Sequence, residues 1–259
     1  MIFERTGTSC ARMFEAKNLS KRFGDRVVLE DISLKFEQGQ LSGIMGPNGA
    51  GKSTCFNVLT GHFPPDRGTV LLEGEDITGL SPRKIAQKGV ARSFQIMSLF
   101  DEFTALENVL FALPEVRNVG FNMFRDVAGD TATVDKALKI VEQVGLAASA
   151  DVRSSSLPYG QRRALEIAVA LAAQPRVLFL DEPTQGMGAD GRGRLLELIL
   201  GLKRQFTIVM IEHDMDFLFS LADEVSVIHW GQVIAQGTPD ELRADPWVSR
   251  ANLGTKRHA

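Results

Sequence analysis

This chain of 259 residues has only two cysteines, Cys10 and Cys55. Two are too few for a disulfide framework, no bridge between them is expected, and the usage suits a reducing cytosol. Nowhere does an apolar run approach the roughly 20 residues a membrane-spanning helix needs. Any membrane role is therefore expected to work through a partner. The opening Met1-Ile2-Phe3-Glu4-Arg5 leads into polar residues and does not read as a secretory signal. Net charge is only −3, so there is no overall electrostatic pull toward nucleic acid, and no such partner is expected. Internal repeats and low-complexity tracts are lacking. What is present is 44% hydrophobic residues, ample for the core of one large domain, with or without a subdomain.

Residues 1–12 carry no pattern and are expected to form a poorly ordered leader, with Met13 a candidate functional start. From Phe14 to Phe36 apolar stretches alternate with turns, as in 26–29 and 32–36, and predict antiparallel strands. A further strand is predicted at 69–72, and Ser81-Pro82 opens a short helix. Thr104-Ala105-Leu106-Glu107 has the form of a capping box. Helical spacing follows at Val134, Leu138, Val141 and Val144, while 114–131 has no clear period. Region 97–173 therefore reads as an inserted helical subdomain. Beyond it, helices at 161–173, 193–203 and 214–221 alternate with strands at 177–180 and 207–211, the pattern of a parallel α/β core. Thr238-Pro239-Asp240-Glu241 starts one more capped helix.

The sharpest feature is Gly46-Pro47-Asn48-Gly49-Ala50-Gly51-Lys52-Ser53, which fits G-x-x-x-x-G-K-[ST]. Four fixed positions recur by accident in about one chain in a hundred of this size, and the flanks make accident less credible. The apolar run 41–45 precedes the loop and 54–59 follows it, in the order strand, loop, helix. Glycines let the backbone N–H groups converge on phosphate oxygens, and the helix N-terminus adds unpaired donors and partial positive charge. Lys52 is then expected on the outer phosphates, with the Ser53 hydroxyl on Mg²⁺. Cys55 falls in the buried helix behind the loop.

A second chemical cluster is Val177-Leu178-Phe179-Leu180-Asp181-Glu182-Pro183. A continuous apolar run suits a strand buried on both faces, and its C-terminal end is where open α/β sheets bind ligands. Asp181 is placed to bind Mg²⁺ through water, and Glu182 to polarise the water attacking a γ-phosphate. Without the phosphate loop, the same segment would be an ordinary strand ending in a turn.

Taken in order, the phosphate loop, Gln95 after Ala91-Arg92-Ser93-Phe94, the run Leu157, Pro158, Tyr159, Gly160 and Gln161, the segment 180–183, and Ile211-Glu212-His213-Asp214 resemble the motifs of ABC transporter ATP-binding subunits. The resemblance spans about residues 14–253, within an ATPase domain drawn as 13–254 before a tail at 255–259. It is closest to the branched-chain amino acid importer group, whose ending is similar to Glu212-His213-Asp214-Met215-Asp216-Phe217, Gly237-Thr238-Pro239-Asp240-Glu241 and Asn252-Leu253-Gly254. Urea or amide importers and lipopolysaccharide exporters share much of this tail, so the solute stays open. The implied fold is a P-loop NTPase core with a mostly parallel sheet, an N-terminal antiparallel β subdomain and an inserted α-helical subdomain.

The resemblance also implies roles. Phe23 stacks on adenine, unless it is simply a core residue at a strand end. The loop from Gly46 through Ser53 and Thr54 binds the nucleotide. Gln95 touches Mg²⁺ and senses a membrane subunit, and His213 hydrogen-bonds the γ-phosphate. Residues 157–161 complete the ATP site of a second cassette in a homo- or heterodimer. Transmembrane permeases and, indirectly, an extracytoplasmic solute-binding protein complete the assembly on the cytoplasmic face of a bacterial inner membrane. Phe94, Leu99, Phe100 and Phe103 are either the permease seat or subdomain core; Phe121, Met123 and Phe124 are read as local core.

Two positions depart from the family pattern. Pro158 stands where a Ser normally offers a hydroxyl and an N–H to the opposite nucleotide; Pro has neither donor. One charge-assisted hydrogen bond is worth about 1.5–3 kcal/mol, so the site this loop completes is expected to be slow. Gln185-Gly186-Met187-Gly188 lacks the usual final acidic residue, and Asp190 is given no role. A non-transport ABC ATPase would carry tandem cassettes or a long coiled-coil insertion, which are missing. A small-molecule kinase would leave the 161–173 helix and His213 unexplained.

Overall fold

A computed structural model describes residues 12–93, 99–117, 130–246 and 248. The expected leader apart from Arg12, Phe94, Gln95, the insertion residues Phe121, Met123 and Phe124, the ending at 252–254 and the 255–259 tail lie outside the described residues.

Two long strands, β1 (Arg12–Phe23) and β2 (Arg26–Glu37), pair antiparallel and join β4 (Arg67–Leu72) and β5 (Glu75–Asp76) in a four-stranded sheet of order β2-β1-β4-β5. The expected breaks between 26–29 and 32–36 do not separate two strands. Asp31 takes a left-handed backbone (φ 57) within one continuous β2, and its carboxylate accepts Asn18 Nδ2 at 2.7 Å. A short polar side chain tolerates that conformation.

The second sheet has six strands: β3 (Leu41–Met45), β6 (Val90–Ser93), β7 (Val177–Asp181), β8 (Thr207–Ile211), β9 (Glu224–His229) and β10 (Gln232–Gly237). Their order is β10-β9-β3-β8-β7-β6, parallel except for the β9–β10 hairpin at one edge. Sequence reading passed over this hairpin and β6.

The sheet is covered on both sides, as continuous apolar strands require. Val177, Phe179, Val209 and Ile211 face α1 (Lys52–Leu59) and the antiparallel sheet; Phe179 packs edge-on against both Phe14 and Phe56. Leu178, Leu180, Ile208 and Met210 share the opposite core with the helices. Those are α3 (Ala105–Ala112), α4 (Pro114–Arg117), α5 (Thr131–Gln143), α6 (Tyr159–Ala172), α7 (Ala189–Lys203), α8 (Met215–Leu221) and α9 (Pro239–Ala244), whereas α2 (Pro82–Gln87), beside β6, buries Ile85 in the first core with Val177 and Phe179. Both capping boxes close as expected, at Thr104/Glu107 and Thr238/Glu241. The buried face of α5 is Thr133, Ala137 and Val141, whereas Leu138 is exposed. Thr133 and Ala137 let α5 lie close to α3 and α6, Val141 is buried with them, and Leu138 turns outward.

Candidate functional site

The loop between β3 and α1 depends on its glycines. Gly46 leaves the sheet at φ 153, where a Cβ would stand 2.0 Å from the Ile228 carbonyl. Gly51 (φ 105) has no room for a Cβ beside Val28 O and Leu29. Behind the loop, the Trp230-Gly231 turn of the β9–β10 hairpin acts as a brace. The Gly231 N–H donates to Ala50 O at 2.9 Å, and its carbonyl accepts the Glu30 N–H at 2.8 Å. The helix α1 starts at Lys52 with no side-chain cap, so its first N–H groups remain available to a ligand.

Lys52 is buried and folded back on its own loop, donating to Gly46 O at 2.7 Å and Pro47 O at 3.1 Å. Burial lowers its pKa, opposed by the nearby Glu182 and Asp181 carboxylates. Ser53 is exposed and Thr54 half-buried. Loop residues 48–54, Phe23, Arg26 and Glu182 line one open cleft of about 290 Å³. Phe23 is 45% exposed and meets Phe63 edge-on at 5.3 Å. It is therefore a surface aromatic at the cleft rather than a core residue. Cys55 is fully buried one turn behind the loop.

At the C-terminal end of β7, Asp181 is 2% exposed and accepts Arg92 Nη2 at 2.6 Å. Glu182 follows with a left-handed backbone (φ 43), its N–H donating to Ile211 O at 3.0 Å. A non-glycine residue held there stores about 1–3 kcal/mol of strain. Arg163 of α6 braces the turn by donating to the carbonyls of Asp181 (3.1 Å) and Glu182 (3.0 Å), and pairs with buried Glu166 at 2.6 Å. Burial pushes the Glu166 carboxyl up, and Arg163 opposes it.

Glu212, at the end of β8, is fully buried and accepts Thr184 N–H (2.9 Å) and Oγ1 (2.6 Å), together with the His213 N–H (3.0 Å) and the Asp214 N–H (3.3 Å). It joins the turn after β7 to the turn after β8. The half-exposed His213 ring is thereby placed with Nδ1 3.9 Å from Glu182 Oε2. Asp214 caps α8 by accepting the Phe217 N–H at 3.1 Å. Arg92, Arg163 and Glu212 were not singled out from the sequence. Arg92 and Glu212 stand inside quoted motifs, and Glu212 ends an apolar strand just as Asp181 does.

The run from 157 to 161 lies elsewhere. Leu157 is buried and Pro158 is the N-cap of α6, its carbonyl accepting the N–H groups of Gln161 (2.9 Å) and Arg162 (3.0 Å). The Tyr159 hydroxyl donates to Gln185 O at 2.7 Å, with Gly186 beneath its ring. Gly160 has open space beside it, and Gln161 is half-buried. Pro158, Gly160 and Gln161 border a separate cavity of about 510 Å³ with Asp190 and Arg194. The structure thus gathers Phe23, Lys52, Ser53 and Glu182 around one cleft, with His213 beside Glu182. It does not bring residues 157–161 to that cleft.

A family model described as ABC transporter matches residues 29–185. The high-affinity branched-chain amino acid transport ATP-binding protein BraF of Pseudomonas aeruginosa is 40% identical, covering 93% of this chain and 98% of that protein. LivG of Escherichia coli K12, with the same description, is 37% identical over 93% and 98%. Among solved structures, an ATP-binding cassette of an ABC transporter in its ADP conformation superposes with a TM-score of 0.84 at 31% identity, covering 94% of this chain and 99% of that one. A phosphate loop after β3, carboxylates at the C-terminal ends of β7 and β8, and this likeness over nearly the whole length lead to one conclusion: the chain belongs to the ABC transporter family, as an ATP-binding, ATP-hydrolysing cassette.

Proposed function

We propose that this cassette binds Mg-ATP at the 46–54 loop and hydrolyses it to energise import of branched-chain amino acids. The observation that carries the hydrolytic reading is the convergence of Lys52 and Glu182 on one cleft, with His213 next to Glu182. Lys52 exchanges its two loop carbonyls for phosphate oxygens. Glu182 accepts a proton from the attacking water, and His213 hydrogen-bonds the γ-phosphate. Phe23 stacks on adenine.

Among the described residues no three His, Cys, Asp or Glu side chains gather to hold a metal by themselves. The Ser53 hydroxyl and, through water, the Asp181 carboxylate fit Mg²⁺, which keeps several waters in its shell beside phosphate oxygens. Gln95 is assigned to the same ion. When bound, Mg²⁺ neutralises charge on the phosphate oxygens.

Residues 157–161 act in trans, completing the site of a second cassette in the dimer. The domain is drawn as 13–254, with 97–173 as its helical arm. Within that arm Leu99 packs against the core, but Phe100 and Phe111 are exposed and share ring contacts with Phe103. That exposed aromatic edge suits a permease contact better than subdomain core does. No helix among the described residues is long and apolar enough to cross a membrane, so permeases carry the solute, with a solute-binding protein supplying it. The cassette sits at the cytoplasmic face of the membrane.

The solute reading is supported by the printed descriptions of BraF and LivG. Vesicles reconstituted with the subunits that co-purify with this chain test it. Leucine, isoleucine or valine presented with the binding protein should raise ATP turnover severalfold. Stimulation by urea or another solute, with none by branched-chain amino acids, would contradict it.

A further inference from the structure

Arg92 sits on β6, opposite Phe179 of β7 in the parallel register, and its side chain is 11% exposed. Its guanidinium is held from several directions. Nη2 donates to Asp181 Oδ2 at 2.6 Å, and Nη1 donates to Asn57 Oδ1 at 2.7 Å and to Thr60 Oγ1 at 3.1 Å. The plane lies over the Phe56 ring, 5.4 Å from its centroid. Asn57 and Thr60 stand at the far end of α1, the helix that begins at Lys52. One rigid fork therefore ties that helix to the carboxylate at the end of β7. A lysine, with a single point of charge on a flexible stem, cannot reproduce all these contacts.

The torsion that turns a carboxylate about its own axis is broad and weakly restrained. Asp181 is almost fully buried, and a fixed donor on one oxygen decides how the group presents its remaining lone pairs. We propose that Arg92 is a positioning residue for Asp181, holding the carboxylate in the orientation that receives the divalent cation of Mg-ATP. The inference rests on Asp181 being the metal-binding carboxylate. Arg92 acts through Asp181, with Asn57 and Thr60 steadying Arg92.

The test measures Mn²⁺ binding to the full chain loaded with a non-hydrolysable ATP analogue, read from the electron paramagnetic resonance signal of free Mn²⁺. Losing a partner that orients a metal ligand costs about 10- to 100-fold in metal affinity, so Arg92→Met should weaken Mn²⁺ binding by at least about tenfold. Arg92→Lys should recover part of that loss, and Asn57→Ala, which leaves the ion pair, should lose a few-fold. In the assembled transporter, the Mg²⁺ concentration for half-maximal turnover should rise in parallel. The KM for ATP at saturating Mg²⁺ should stay within about twofold.

A purely structural Arg92 would lower the melting temperature of Arg92→Met and leave Mn²⁺ affinity unchanged, and that result overturns the proposal. If Arg92→Met does not fold, parent-like Mn²⁺ affinity in both Arg92→Lys and Asn57→Ala overturns it equally. Asp181→Asn separates the two levels. Lost Mn²⁺ binding there, with parent-like binding in the Arg92 variants, removes only the positioning role. Unchanged binding in Asp181→Asn removes the metal assignment and the proposal together.

Discussion

Glu182 has a left-handed backbone, a largely buried side chain and a neighbouring histidine, and it lines the phosphate cleft. Replacing it with Gln preserves shape and removes the carboxylate proposed to accept a proton from the attacking water. Glu182→Gln should keep ATP affinity within a few-fold of the parent, lose turnover by roughly 10²–10⁴, and accumulate an ATP-bound dimer on size exclusion. Normal hydrolysis in that variant would move water activation to another group. Cys55 gives a residue-level prediction of a different kind. Burial pushes its thiol up to about 12 from an ordinary 9.0. The folded chain therefore keeps this proton after the unfolded chain has released it. Between pH 9 and 12 the unfolded state binds fewer protons, and stability falls as pH rises, by about 1.4 kcal/mol per pH unit from this group. Urea unfolding from pH 9 to 10.5 should show stability falling toward that slope in the parent and lose this fall in Cys55→Ala, whatever that variant loses in absolute stability. An unchanged slope would show that Cys55 is not the source.

Among the elements, α6 offers the clearest test. Its N-cap, Pro158, has φ −55 and ψ 150, an extended conformation that Ser also adopts, and it makes no side-chain cap. Pro158→Ser should add a cap worth about 0.5–2 kcal/mol. It should also raise ATP turnover of the assembled complex roughly ten- to a hundredfold by restoring the missing donors. A stabilised variant with unchanged turnover would mean that this position does not limit the site it completes. How far elements could be read from sequence follows from what determines them. The strands β7 and β8 are apolar on both faces and bounded by turns, so a short continuous apolar run locates them almost to the residue. The phosphate loop is legible because its glycines carry positive backbone angles at fixed local spacing before Lys52-Ser53, although the Ile228 carbonyl that also excludes a Cβ at Gly46 comes from a distant strand. The β9–β10 hairpin was missed, and of the four apolar positions read along α5 only Val141 and Val144 are buried, because both features depend on neighbours. Trp230-Gly231 acquires its purpose from the loop it braces, and Ala137 is buried because α3 and α6 lie close. Arg92 and Asp181 are 89 positions apart, and no local pattern announces such a pair.

For the whole molecule, the decisive feature is that the cleft holding Lys52 and Glu182 takes no lining from residues 157–161 among those described. Within one chain the phosphate grip and the α6 N-terminus stand apart. The account joins them across two cassettes, where ATP fills the interface and its loss lets the pair open. The helical arm with its exposed Phe100 and Phe111 would carry that motion to the permeases. All of this depends on hydrolysis needing a second module. The direct measurement is ATP turnover per subunit as the purified cassette, alone or with the subunits that co-purify with it, is diluted through the range where association is lost. The account predicts that turnover per subunit falls toward zero while ATP binding by the monomer persists. A turnover per subunit that stays constant down to the fully dissociated monomer would contradict it.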